Sequence, residues 1–167
     1  MKGLLKKLVI SFVAGVVSSA IAVSAFAGIA LGDYKYFNCN GYYYKSMNSI
    51  GTFPDYVYGC TNVHSQDETT KFPTGYVGIQ CFVYSTSSTI PILSSKKEYN
   101  SSPTSLFPVF TPKDYNQTGT FYTRGTVEVY NSGSYLSFGT IQSPYQQRFN
   151  ATAEKQFIMK GVKYEED

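Results

Sequence analysis

Hydrophobic and polar residues alternate most regularly in the stretch 76–84, where aliphatic residues and Cys81 occupy every second position. A β-strand places successive side chains on opposite faces of a sheet, so this pattern predicts a strand with one face in the core. The stretch 119–130 alternates in the same way, and 55–63 is a further strand candidate. The pattern along the chain therefore predicts β-structure.

Two hairpins are predicted from turn residues. Asn40-Gly41 is the strongest short-range hairpin signal, because both residues tolerate the positive φ angles of a type I′ turn. Its arms are predicted at 34–39 and 42–48. The sequence Asn-Ser-Gly-Ser at 131–134 predicts a second hairpin, which begins with the strand at 119–130.

Three other segments give weaker patterns. The stretch 89–99 contains a proline and paired lysines, which an exposed edge strand tolerates. The stretch 100–118 contains three prolines and is predicted to be a long connecting loop. Residues 151–160 fit either a short helix or a closing strand, and the strand is the preferred interpretation.

Composition supports the same fold class. The chain has 16 tyrosines, 12 phenylalanines and no tryptophan, and all the tyrosines follow residue 33. Aromatic and β-branched residues favour pleated, half-buried surfaces. We therefore predict an all-β protein, a single-domain antiparallel β-sandwich formed by residues 28–167.

The first 27 residues have the pattern of an export signal. Three lysines precede an uncharged apolar run from Leu8 to Leu31, and Ala25-Phe26-Ala27 supplies the small residues that a signal peptidase accepts. Cleavage after Ala27 is the preferred interpretation, which makes the protein secreted. The alternative is an uncleaved membrane anchor, since the run is long enough to span a bilayer. In either case the domain lies outside the cytoplasm, and its membrane contact is limited to residues 8–31 if these remain.

Charge excludes some classes of partner. The chain has 14 basic and 11 acidic residues, and the excess lies in the three lysines of the leader, so residues 28–167 are formally neutral. A neutral domain has no basic surplus to neutralise phosphates, which disfavours nucleic acid and electrostatic adhesion to anionic lipid. The predicted partner is an extracellular or cell-surface ligand of unknown identity.

The region 75–144 resembles a group of small exported proteins of Gram-positive bacteria. The matching positions are Gly75-Tyr76-Val77-Gly78-Ile79-Gln80, Tyr99-Asn100-Ser101-Ser102, Gly119-Thr120-Phe121-Tyr122 with Gly125, Tyr130-Asn131 before Tyr135, and Ser143-Pro144. The group has no established activity, so the resemblance implies source and export but no catalytic residues. This chain departs from the group by placing Cys81 where a small aliphatic residue is usual.

Cysteines and tyrosines supply the candidate sites. An exported chain favours oxidation, and three cysteines allow at most one internal bridge, for which we predict the pair Cys39 and Cys60. Cys81 lies on an aliphatic face that suits a buried thiol. Most of the tyrosine-rich stretch 42–44 is expected to fill strands. The alternative is a binding surface that stacks on sugars or lies at a lipid interface, with the candidate residues Tyr42, Tyr43, Tyr44, Tyr56 and Tyr58.

Catalytic and metal sites have little support in the sequence. His64 is the single histidine and is expected in a solvated loop, about 13 Å from Cys60 if the two share an extended strand. The cysteines are 21 residues apart twice over, without the close pairs of structural zinc sites. We predict no catalytic, metal or cofactor residues.

The sequence therefore predicts an exported, non-enzymatic binding protein. Two other classes stay open. A secreted antimicrobial or membrane-active toxin is suggested by the abundance of tyrosine, which favours membrane interfaces. A cell-wall hydrolase requires paired carboxylates brought together from distant strands.

Overall fold

The computed structural model describes residues 28–149, which form two antiparallel sheets packed face to face. Sheet 1 contains β1 (Gly28–Leu31), β2 (Lys35–Cys39), β3 (Tyr42–Thr52), β4 (Val57–Ser65) and β8 (Leu106–Phe110). Sheet 2 contains β5 (Val77–Ser85), β6 (Leu93–Ser94), β7 (Glu98–Tyr99), β9 (Gly119–Asn131), β10 (Ser134–Gly139) and β11 (Gln146–Arg148). The prediction of an all-β sandwich is confirmed. The predicted leader 1–27 and the segment 151–160 lie outside the described residues.

Each sheet is built on one pair of long strands with short strands at the edges. In sheet 1, β3 pairs with β4, β8 follows on the free side of β4, and β1 and β2 share the other edge of β3. In sheet 2, β5 pairs with β9, β6 and β7 share the free edge of β5, and β10 and β11 share that of β9. Short edge strands leave few unpaired backbone groups in a row, which limits edge-to-edge association.

The two ends of the sandwich differ in what they carry. Gly28 pairs with Thr52, so the chain enters β1 at the end where the turn 53–56 joins β3 to β4. The connections 86–92 and 111–118 lie at this same end, which we call the entry end. The opposite end, called the far end, carries the turns at Asn40-Gly41 and Ser132-Gly133 and the long connection 66–76.

Both predicted hairpin turns are confirmed. Asn40 and Gly41 have φ angles of 49° and 80°, as a type I′ turn requires. Ser132 and Gly133 also have positive φ angles, and they join β9 to β10 within the predicted turn. Asn and Gly adopt this left-handed conformation at low cost, which explains how local sequence sets the register of the first hairpin.

The core between the sheets consists of two hydrophobic clusters. The far-end cluster contains Cys39, Tyr44, Val63, Phe72, Val77, Ile79, Cys81, Val109, Val127 and Val129. The entry-end cluster contains Ile50, Val57, Val83 and Phe121. Between them lie fully buried polar residues, among which Thr61 donates a hydrogen bond to Asn48 Oδ1 at 2.6 Å. Asn48 in turn donates to Ile141 O at 2.5 Å, so this polar layer ties β3 to the segment after β10.

The loop predicted at 100–118 is wrong in its middle, because β8 occupies Leu106–Phe110 and pairs with β4. Pro108 argued against a strand, yet β8 is an edge strand, where a missing N–H is tolerated. The short strand β1 was also not predicted, since its residues continue the apolar run of the leader.

Candidate functional site

The tyrosines predicted as one surface lie in two separate places. In β3, strand alternation divides the first three: Tyr44 is fully buried and stacks on Phe72 at 4.5 Å between ring centroids, whereas Tyr43 is 63% exposed on the opposite face. Tyr42 is half-buried and contacts Tyr76 at 5.8 Å. The preferred interpretation of this stretch as strand filling therefore holds for Tyr42 and Tyr44.

Tyr56 and Tyr58 belong to an aromatic cluster at the entry end. The cluster gathers five rings from the 53–56 turn, β4, β8 and the loop after β8, namely Phe53, Tyr56, Tyr58, Phe110 and Tyr115. Phe53 stacks on Tyr56 at 4.9 Å, and Tyr56 contacts Tyr115 at 5.7 Å. Phe110 and Tyr115 are 54% and 59% exposed. We call this group the entry-end aromatic cluster.

The outer face of sheet 1 supports this cluster. Gly51 lies opposite Tyr58 in the β3–β4 register, and a Cβ atom on Gly51 would come within 2.8 Å of Tyr58 Cζ. The absence of a side chain at Gly51 therefore lets the Tyr58 ring lie on the backbone of β3. Lys113 places its ammonium 4.1 Å from the centroid of the Tyr56 ring, a cation–π contact at the edge of the cluster.

Arg148 fixes the loops that carry the cluster. This side chain is only 7% exposed, and its guanidinium donates to the carbonyl oxygens of Phe53, Pro54, Tyr115 and Gln117. The planar fork of arginine suits several acceptors at once. One cation therefore joins the 53–56 turn to the loop after β8. Sequence reasoning missed Arg148, Phe53, Phe110 and Tyr115, because only the tertiary fold brings these segments together.

A second group of rings, the tyrosine row, lies at the far end and consists of Tyr42, Tyr76, Tyr130, Tyr135 and Tyr99. Two of its five hydroxyls, those of Tyr135 and Tyr99, are hydrogen-bonded within the fold. Tyr135 donates to Gly75 O at 2.7 Å, and Tyr99 and Lys97 both donate to the Glu128 carboxylate. These two donors lower the pKa of Glu128, and the carboxylate raises the pKa of Tyr99 to about 12. The hydroxyls of the entry-end tyrosines Tyr56, Tyr58 and Tyr115 make no hydrogen bond to another described residue.

The predicted disulfide between Cys39 and Cys60 is not formed, since all three cysteines are free in the structure. Cys39 packs in the far-end cluster between the sheets, whereas Cys60 lies on the outer face of sheet 1, opposite Ser49. Burial raises the pKa of Cys60 to about 11 and that of Cys81 to about 12. Both thiols are therefore protonated at neutral pH, the opposite of an activated nucleophile.

His64 lies in β4 and is half-buried, so its prediction as a solvated loop residue is wrong. It contacts the edge of Tyr34 at 6.0 Å between ring centroids. Burial, followed by the nearby Lys45 ammonium, lowers the pKa of His64. The side chain shares the outer face of β4 with Cys60 four residues earlier, as an extended strand requires, and no hydrogen bond joins the two.

Residues 28–149 contain no group of three or more histidine, cysteine, aspartate or glutamate side chains placed to hold a metal ion. Within the same range, no helix has the length and apolar character needed to cross a membrane. Comparison of the chain with family models, with curated proteins and with solved structures gives no match.

Proposed function

We propose that this protein is exported by a Gram-positive bacterium and acts by binding at a cell surface, without catalysis. The observation that carries the proposal is the entry-end aromatic cluster. Tyrosine and phenylalanine rings supply large contact areas, and tyrosine is enriched among the residues that dominate binding energy at interfaces. Here five rings meet at one end of a sandwich, with Phe110 and Tyr115 more than half exposed.

Rigidity of the cluster supports this role. Arg148 ties both supporting loops to one buried guanidinium, and the Tyr58 ring rests on Gly51. Preorganised side chains lose less conformational entropy on binding, so more of the contact energy appears as affinity. Cys60 and Cys81 are 5% and 0% exposed, so neither thiol forms part of such a surface.

Binding to the cell envelope tests the proposal. The purified protein is incubated with the envelope fraction of a Gram-positive bacterium and sedimented. We expect the double variant Phe110→Ser/Tyr115→Ser to lose binding. Tyr36 and Tyr43 are 62% and 63% exposed and lie outside the cluster, so Tyr36→Ser/Tyr43→Ser is a control of matched exposure.

The outcomes separate the alternatives. Loss of binding in the cluster variant alone supports the proposal. Loss in the control alone would move recognition to the tyrosines of the first hairpin and overturn the assigned site. Failure of the unmodified protein to sediment with envelopes would overturn the function itself.

A further inference from the structure

Apolar side chains are exposed around the whole entry end, beyond the aromatic cluster. Ile29 of β1 is 53% exposed, Ile90 of the 86–92 connection is 71% exposed, and Tyr145 before β11 is 59% exposed. Together with Phe110 and Tyr115, these residues come from five different segments of the chain. A soluble surface normally exposes large apolar residues singly, and a concentration of them indicates an interaction site.

Charge is sparse at this end. Among the described residues of β1 and the connections 53–56, 86–92 and 111–118, the charged side chains are Asp55, Lys113 and Asp114. Asp114 accepts hydrogen bonds from the backbone of its own loop, and Lys113 lies over the Tyr56 ring. The entry end therefore exposes its apolar side chains among few charged groups.

The path of the chain relates the entry end to the leader. The uncharged run that begins at Leu8 continues through β1 to Leu31, and β1 starts at the entry end with Gly28 paired to Thr52. Leu31 is itself 62% exposed on the outer face of sheet 1. The apolar run thus leads directly into the end of the domain that exposes rings and aliphatic side chains.

We infer that the entry end rests on a lipid bilayer, with the entry-end aromatic cluster at the level of the headgroups. This inference rests on the proposed function and names the ligand of the same site. Tyrosine prefers the membrane–water interface, where its ring is in apolar surroundings and its hydroxyl is hydrated, and the free hydroxyls of Tyr56 and Tyr115 fit this environment. Lys113 is exposed and holds its ammonium over the Tyr56 ring, where a headgroup phosphate can approach it. The near balance of charge predicts binding that does not depend on anionic lipid.

The first test measures binding of the full chain to vesicles of phosphatidylcholine, with and without added phosphatidylglycerol. We expect equal affinity for both compositions, and roughly tenfold weaker binding for Phe110→Ser/Tyr115→Ser than for the unmodified protein. The variant Tyr36→Ser/Tyr43→Ser keeps any contribution of residues 1–27 and serves as the control. Equal binding of both double variants and the unmodified protein would overturn the inference.

A second test determines which end faces the lipid. The variants Ile90→Cys and Ser132→Cys place a single accessible thiol at the entry end and the far end, since the three native cysteines are buried. Each is labelled with an environment-sensitive dye, and lipids carrying a quencher are added. We expect a blue shift and quenching at position 90 only, and loss of this shift when Phe110→Ser/Tyr115→Ser is added. Equal signals at both positions, or a shift at 90 that the added substitutions leave unchanged, would contradict the inference.

The two proposals fail in different ways. Sedimentation with envelopes but no binding to vesicles would overturn the lipid assignment and keep the surface-binding function, with a wall polymer or a protein as the ligand. If the protein neither sediments with envelopes nor binds to vesicles, both proposals are overturned.

Discussion

Thr61 of β4 occupies the space that a side chain on Gly125 of β9 would fill, since a Cβ atom at Gly125 would lie 2.9 Å from Thr61 Cβ. The reverse contact lies two residues earlier in each strand, where a Cβ atom at Gly59 of β4 would lie 2.7 Å from Thr123 Oγ1 of β9. Each sheet thus presents a glycine to a threonine of the other. This reciprocal packing brings the two sheets close together in the polar layer between the two hydrophobic clusters.

Gly125→Ala is therefore expected to destabilise the fold by about 2 kcal/mol, the usual range for overpacking a dense core. Chemical denaturation followed by far-ultraviolet circular dichroism measures the change. Gly139→Ala in the neighbouring strand β10 is the control, because a Cβ atom there meets nothing within 4 Å. If Gly139→Ala lowers the free energy of unfolding as much as Gly125→Ala, the effect comes from the backbone and not from the contact with Thr61.

Tyr44→Phe is expected to leave stability unchanged or to raise it by up to about 1 kcal/mol, because a buried hydroxyl without a partner carries a desolvation cost. Tyr44 is fully buried, and its hydroxyl makes no hydrogen bond within residues 28–149. Its burial raises its pKa, which agrees with this environment. Tyr44→Leu, by contrast, loses the stacked contact with Phe72 and should cost about 2 kcal/mol or more. A clear loss of stability in Tyr44→Phe would reveal a hydrogen bond to that hydroxyl.

Local patterns were sufficient to predict the sandwich, but not the candidate site. Alternation in 76–84 correctly placed Val77 and Ile79 in the core, and Asn40-Gly41 correctly placed the first turn. The pairing of β5 with β9 joins residues that are 36 to 52 positions apart, from Ser85 with Phe121 to Val77 with Val129, and it leaves no local pattern. The entry-end aromatic cluster depends on such long-range pairing, because Phe110 reaches Tyr58 only through the pairing of β8 with β4. Pro108 argued against a strand at β8, and without β8 the cluster could not be predicted.

The three cysteines are expected to react as free thiols, and only after unfolding. At pH 8 about one thousandth of Cys60 is thiolate when its pKa is about 11, and the fraction for Cys81 is smaller still. Alkylation of the native protein should therefore be slow, and alkylation in denaturant without reductant should modify all three residues. Mass spectrometry counts the modified sites. Recovery of a Cys39–Cys60 peptide pair would contradict the structure.

Stability should fall as the pH drops below about 6.5, the ordinary pKa of histidine. His64 has a lowered pKa in the folded state, so below that pH the unfolded chain binds a proton that the folded chain does not. At lower pH the lowered pKa values of Glu68 and Glu128 add to the loss, because these carboxylates resist protonation only when folded. His64→Gln should flatten the dependence between pH 7 and about 5, where the carboxylates contribute little. Denaturant midpoints are measured across this range for the unmodified protein and for His64→Gln. Equal slopes of the midpoint against pH would contradict the assignment to His64.

Arg148 connects stability to the binding surface. Its guanidinium donates only to backbone carbonyls among the described residues, and charged hydrogen bonds of this kind are each stronger than neutral ones. Arg148→Ala should destabilise the fold by about 2 kcal/mol, and it should also release the loops that hold Phe53 and Tyr115. Arg148→Lys keeps the charge but lacks the planar fork, so it should restore only part of the stability and little of the binding to envelopes.

Two measurements on these variants separate a general loss of folding from a local loss of order. Denaturation gives the free energy of unfolding, and hydrogen exchange of the amides in 53–56 and 111–118 gives the local opening. We expect faster exchange in these loops at conditions where β5 and β9 remain protected. Because the same loops carry the entry-end aromatic cluster, binding should decline in step with their exchange rate. Binding that persists in Arg148→Ala while both loops exchange freely would show that recognition does not need an ordered cluster.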